Sequence, residues 1–198
     1  MRQRRSWLWL SLGVVAVFCG GGAAWSAQGS GGAFSAPFAA GGTLRLHVRS
    51  GEVQILGSDR DEVAVHYEGK NAFRSGEVSV SMERPGELTV QGGPENDLRI
   101  VIEIPQRTNL VVRMPWGDLG IAGVTGDKDV RLHGGDLRVD LGEPTQYAST
   151  EASVLSGELI DERLGIDKGG LFRSFESHGP GSFHVYLHVG AGQLTIKN

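Results

Sequence analysis

Asp118, Asp136 and Glu158 each follow a glycine directly, and Asp127, Asp129 and Asp140 lie among them. Paired carboxylates are the machinery of glycoside hydrolysis, one as acid and the other as base or nucleophile. A column of such oxygens could also hold Ca²⁺. A plainer account competes with both, because Asp and Glu beside glycine are good turn residues that point into water. Recurrence decides between them. A turn requirement repeats at every corner, whereas an active site occurs once, so no catalytic residue is assigned. The calcium-binding nonapeptide is missing its second Gly-x-Asp step at Gly134-Gly135-Asp136.

His184 and His188 have the spacing of a helical metal chelate, but their segment alternates as a strand. That alternation sets the two side chains roughly 13 Å apart, too far for one ion. His47, His66, His133 and His178 share no useful spacing, so no metal ligand is assigned. No serine stands in a Gly-x-Ser-x-Gly elbow, and nothing in the sequence pairs one with a histidine and an acid. No phosphate-binding glycine loop opens a helix, since Gly92-Gly93-Pro94 reads as a turn; no cofactor-binding residue and no cofactor follow. Trp116, Phe172, Phe175, Phe183 and Tyr186 could stack on sugars if exposed, although such residues more often fill or cap a core.

The elements that must carry these residues are short strands with glycine corners. One phrase recurs: Gly, an acid or amide, Leu or Val, any residue, then Val or Ile. It stands at Gly51-Glu52-Val53-Gln54-Ile55, Gly76-Glu77-Val78, Gly86-Glu87-Leu88, Gly117-Asp118-Leu119, Gly135-Asp136-Leu137 and Gly192-Gln193-Leu194. Alternating runs such as Leu44-Arg45-Leu46-His47-Val48 and Val130-Arg131-Leu132 carry the period of half-buried strands. Leu98 to Ile104 is denser and predicts a strand covered on both faces or in the middle of the stack. The corners at Gly117, Gly135 and Gly157 suit the coils of a β-solenoid, each coil adding a strand at roughly 4.8 Å. Gly126 falls halfway along one coil, as its second corner would. The less regular first half predicts hairpins that cap one end. The copy Gly157-Glu158-Leu159-Ile160-Asp161 ends on an acid, so that coil must leave the stack or turn early. The C-terminal strand, ending at Lys197-Asn198, is expected at the free edge.

A basic start, Met1-Arg2-Gln3-Arg4-Arg5, an apolar run from Trp7 to Phe18 and small residues to Ala27 have the layout of a signal peptide. Residues 1–26 are read as that peptide, with an uncleaved anchor as the rival and the only route to a membrane. Gly, Ala and Ser dominate residues 27–42, a composition that predicts a flexible leader. Residues 43–198 form the single domain. The one cysteine, Cys19, leaves with the signal segment, so disulfides and thiol chemistry are excluded from the mature chain. Removing residues 1–26 lowers Lys+Arg from 19 to 16 against 23 acids, a net charge of −7. Nucleic acid demands the opposite sign and is excluded as a partner.

The run Ile102-Glu103-Ile104-Pro105, Asn109-Leu110-Val111-Val112, then Gly117-Asp118-Leu119-Gly120-Ile121 and Gly126-Asp127, resembles the bacterial "putative adhesin" family of toast-rack-like β-solenoids. The ending Gly179-Pro180-Gly181-Ser182-Phe183-His184-Val185 and Gly190-Ala191-Gly192-Gln193-Leu194 is similar to the way members of that family close. The resemblance implies an all-β fold, an envelope location and no family-wide catalytic residues. The expectation is an exported, non-enzymatic β-solenoid in the periplasm or at the cell surface, binding a surface glycan or an envelope protein. A periplasmic envelope-stress sensor or scaffold is the alternative, and a polysaccharide-active enzyme the third reading.

Overall fold

Alternating apolar and polar residues make most of this chain extended, because successive side chains in a strand point to opposite faces. The computed structural model describes residues 31–69, 77–93 and 98–198; the predicted signal peptide, residues 27–30 and the predicted corner glycine Gly76 lie outside them. Among the described residues the strands form one 13-stranded sheet of mixed orientation, wrapped nearly closed around one core, with no α-helix. They are β1 (Gly31–Pro37), β2 (Thr43–Val48), β3 (Glu52–Ser58), β4 (Glu62–Gly69), β5 (Val78–Arg84), β6 (Glu87–Gly92) and β7 (Leu98–Pro105). The second half supplies β8 (Asn109–Trp116), β9 (Asp118–Ala122), β10 (Lys128–Asp140), β11 (Tyr147–Asp161), β12 (Ile166–His178) and β13 (Phe183–Lys197).

Glycine corners divide the strands into tiers of two arms. In one tier β2 leads through Gly51 into β3, and in the next β8 leads through Gly117 into β9. The bent strands β10, β13 and β11 each supply both arms. Thus β10 pairs in parallel with β8 before its bend, Lys128↔Leu110 to Gly134↔Trp116, and with β9 after it, Leu137↔Leu119 to Val139↔Ile121. The corner glycines hold φ between 116° and 138°, a region that L side chains rarely enter. Inward residues of the two arms line up across tiers. One such row is Leu46, Val112, Val130, Leu187 and Ala152, all buried. Antiparallel partners close the far side, β5 on β6 and β1–β4 on β7. That matches the predicted hairpin cap, and β7 lies between β3 and β4, inside the sheet as its dense sequence implies.

Two expectations are corrected. The leader predicted over residues 27–42 is strand β1 from Gly31 to Pro37, paired with β4 from Gly31↔Glu68 to Pro37↔Glu62. Phe34 packs against the core and supplies apolar contact that the small residues around it lack. Gly86 belongs to the turn between β5 and β6, in keeping with the hairpins predicted for the first half. The tiers also do not stack in chain order throughout. β13 lies between β10 and β11, parallel to both, so the C-terminal strand is interior and β12 is the edge. The reason is which residues each strand turns inward. β13 offers Val185, Leu187, Val189, Leu194 and Ile196, all buried, which fit a slot covered on both sides. β12 places Lys168 and Arg173 opposite the buried Leu159 and Val154. Their heads donate to the carbonyls of Ser174 at 3.1 Å and Gly169 at 2.7 Å, and inward charge of this kind blunts an exposed edge.

Asp161 does end its tier. In the inward row Ile55, Ile121, Val139, Ile196 it takes the fifth place, and the chain then turns over residues 162–165 and reverses as β12. No acid belongs among those neighbours unless it is paired. Asp161 is, with Arg163.

Candidate binding surface

The acidic corner residues come together as a row, but not as a pair facing a cleft. Glu52, Asp118 and Asp136 stand opposite one another on adjacent strands, then Gln193, then Glu158. Asp118 and Asp136 are therefore one strand apart, while Glu158 is two strands further on. The row belongs to the outward positions of the second arm, and its members hold structural partners. Arg99 donates to Glu52 at 3.0 Å, the Asp136 amide to Asp118 at 3.3 Å, Arg138 to Asp136 at 3.1 Å and Gln193 to Glu158 at 2.9 Å. Asp140 accepts from the Gly142 amide at 2.9 Å, closing the turn after β10. These contacts favour the turn account of the sequence.

The outer face of the first arm differs. Register carries His47, His178, His184 and His188 to this one face from β2, β12 and β13, and His133, near the bend of β10, lies close to His188. Sequence spacing could not find this, because the face is assembled by strand pairing between distant positions, such as His47 with Arg113 and Arg131 with His188. His184 and His188 do not converge; each imidazole Nδ1 is 2.9 Å from a different serine, Ser149 and Ser153. Those Ser–His contacts were also invisible in sequence. Each contact joins β11 to β13 as a cross-strand rung. Burial, then Arg131 and His133, lower the pKa of His188 below the ordinary imidazole value. His66 lies apart on β4.

A shallow depression of about 450 Å³ opens on the same face, over β8, β10, β13 and β11. Tyr186 lines it, directly opposite Asp129 on one side and Glu151 on the other. The Arg131 guanidinium lies 5.4 Å from the ring centre. Asp129 accepts from Arg113 at 2.5 Å, and Asp127 accepts the His184 amide at 2.8 Å, which fixes the rim. The aromatics of the sequence divide: Phe175 and Phe183 pack on the core, whereas Trp116, Phe172 and Tyr186 are exposed. Phe172 has a φ of 54°, a conformation rarely held by a bulky side chain.

Beneath the depression lies a group that the sequence did not flag. Lys128 turns inward from β10 and is buried, its Nζ donating to Tyr147 Oη at 2.8 Å and to the Gly126 carbonyl at 3.1 Å. Burial pushes its pKa down to about 8, against the opposing pull of Asp127. An unfolded lysine titrates near 10.5. Between these values the unfolded chain binds more protons, so stability must rise with pH from about 8 toward 10.5 and be lost as pH falls through 8. Burial likewise pushes Tyr147 up to about 12, so its contribution is lost as pH rises from 10 through 12. Unfolding in urea should therefore show stability climbing by roughly 1–2 kcal/mol between pH 8 and 9.5, at about 1.4 kcal/mol per unit of pKa. Lys128→Met is expected to flatten that climb. A wild-type curve already flat over this range refutes the assignment.

No family model matches the chain, and no curated protein matches it. Among solved structures, the chain is similar to a "putative cell adhesion protein" from Clostridium sporogenes ATCC 15579, at 17% identity and a TM-score of 0.53. That match covers 86% of this chain and 99% of the other. A "putative adhesin" from Bacteroides fragilis NCTC 9343 overlaps 83% of this chain and 97% of its own at 11% identity, with a TM-score of 0.33, too loose a superposition to bear on the fold. The class defined here is an all-β domain with the fold of the Clostridium protein. The name of the Clostridium protein is consistent with the adhesin family that the sequence motifs resemble.

Proposed function

We propose that this chain is an exported, non-enzymatic binding module of the bacterial cell envelope, a short capped β-solenoid with an adhesin-like role. The observation that carries the reading is the fold shared with a protein named for cell adhesion, over nearly that protein's whole length. The first-arm face supports it, because its polar side chains stand on hydrogen-bonded strands rather than on loops. A surface built this way keeps its geometry before a partner arrives and loses little entropy on binding. The acidic row fits a non-enzyme, since its carboxylates are engaged with neighbouring side chains and amides instead of framing a cleft.

The reading is tested by treating intact cells with protease and blotting for the domain. Cleavage in intact cells is the expected result and corresponds to presentation at the surface. Protection until the envelope is opened would favour the periplasmic scaffold. Recovery from the cytosol with residues 1–26 still attached would overturn export altogether.

A further inference from the structure

The depression over Tyr186 has the composition of a sugar site, and we propose that it binds an uncharged hexopyranose unit of a glycan. This inference rests on the binding-module reading and adds a ligand class to it. A pyranose presents an apolar C–H face and a rim of hydroxyls, so a matching site needs an aromatic platform with strong acceptors beside it. Tyr186 supplies the platform and is 38% exposed. Glu151, directly opposite on β11, is exposed, and no described residue holds its carboxylate in a hydrogen bond or ion pair. Its other cross-strand neighbour is Glu176, and like charges placed opposite each other are destabilising. The Glu151 carboxylate is free to accept from a sugar hydroxyl.

The opposite flank is fixed by charge pairing. Asp129 Oδ1 is buried in an ion pair with Arg131 Nε at 3.5 Å and Oδ2 accepts from Arg113, which holds the Arg131 guanidinium in place as a donor to a sugar hydroxyl. Asn109 and His184 complete the rim with groups that can both donate and accept.

Charge selects against acidic sugars. Asp127, Asp129 and Glu151 line the depression, and Arg131 is its one exposed cation, already shared with Asp129 and the Tyr186 ring. Lys128 is buried below. A uronic acid would meet repulsion from Glu151 with no free cation to answer it.

The test is calorimetric titration of the purified protein with tetra-N-acetylchitotetraose, maltotetraose and tetragalacturonate. One of the two uncharged tetramers should bind, and Tyr186→Ala should weaken it at least tenfold. Glu151→Gln, which leaves the packing intact, should weaken it several-fold. Trp116→Ala should change nothing, because Trp116 covers Gly134 at the corner, away from the depression. Binding of tetragalacturonate alone, binding lost with Trp116 rather than Tyr186, or no heat from either uncharged tetramer overturns the proposal. Because the titration is independent of location, a failed titration with a surface-exposed chain removes the sugar site and leaves the adhesin-like reading standing. Failed export removes that reading while the titration result stands.

Discussion

Gly135→Ala should cost at least 3 kcal/mol of folding stability, read as a shift of the urea midpoint. Two separate effects add at this position. The residue has a φ of 116°, and an added Cβ would meet the Gly117 carbonyl oxygen at 2.0 Å. Backbone strain in such a region costs roughly 1–3 kcal/mol, and overpacking adds typically about 1–3 more when the neighbour is backbone that cannot turn aside. The same collision repeats tier by tier. A Cβ on Gly117 would strike the Gly51 oxygen at 2.2 Å, one on Gly192 the Gly135 oxygen at 2.0 Å, and one on Gly157 the Gly192 oxygen at 1.8 Å. The corner glycines are therefore stacked against one another, and displacing one carbonyl disturbs the tiers on both sides. Gly142 separates the two effects: its φ is 62° but nothing lies within 4 Å of a built Cβ. Gly142→Ala should cost only about 1 kcal/mol, the strain of the left-handed region without the collision. Equal losses at positions 135 and 142 would show that conformation alone, and not tier contact, selects glycine at the corners.

That stacking explains why the fold was legible in sequence and where legibility ended. A requirement imposed by the neighbouring tier recurs with each tier, so it appears as a repeated phrase at Gly51, Gly117, Gly135 and Gly192. Alternation inside each phrase then assigns which side chains face the core. Tier order is another matter. The phrase at Gly192 is as good a neighbour for Gly135 as the one at Gly157, and nothing local says that β13 lies between them. The cue was in β12, where Lys168, Arg173 and Ser177 at inward positions unfit that strand for an interior slot. Segment Leu164 to Glu176 lacks a corner phrase for the same reason: it lies at the end of the stack and reverses direction. The candidate surface was the least legible part. Tyr186 and the acidic residues are visible as candidates, yet placing Tyr186 between Asp129 and Glu151 requires the register of three strands that are not consecutive in sequence. Lys128 was missed because a lysine in an alternating strand reads as outward, and the inward Tyr147 hydroxyl and Gly126 carbonyl that give its ammonium partners are set by the fold.

Asp161→Ala should be nearly as damaging as the corner substitution, by about 3 kcal/mol, for a different reason. The carboxylate is fully buried and the Arg163 side chain is 8% exposed. Arg163 donates through Nε to Oδ1 at 3.0 Å and through a terminal nitrogen to Oδ2 at 2.6 Å. The amides of Arg163 and Leu164 also donate to Oδ1, at 3.0 and 3.3 Å, so one side chain both neutralises a buried cation and closes the turn into β12. Removing one member of a buried pair leaves the other charged and unpaired, typically at a cost of about 3–5 kcal/mol. Removing both is different, because two apolar groups need no desolvation offset. Asp161→Ile restores the residue type that the inward row holds at Ile55, Ile121, Val139 and Ile196. Combined with Arg163→Leu, it should recover most of the loss seen in Asp161→Ala, leaving a deficit of about 1 kcal/mol for the two turn amides that no longer have an acceptor. Equilibrium unfolding of the two single variants and the double variant measures the coupling directly. If Asp161→Ala costs less than about 1 kcal/mol, the pair is solvated rather than buried. If the double variant is worse than either single one, the turn itself depends on the carboxylate, and the acid that breaks the repeat is what sends the chain back along the edge of the stack.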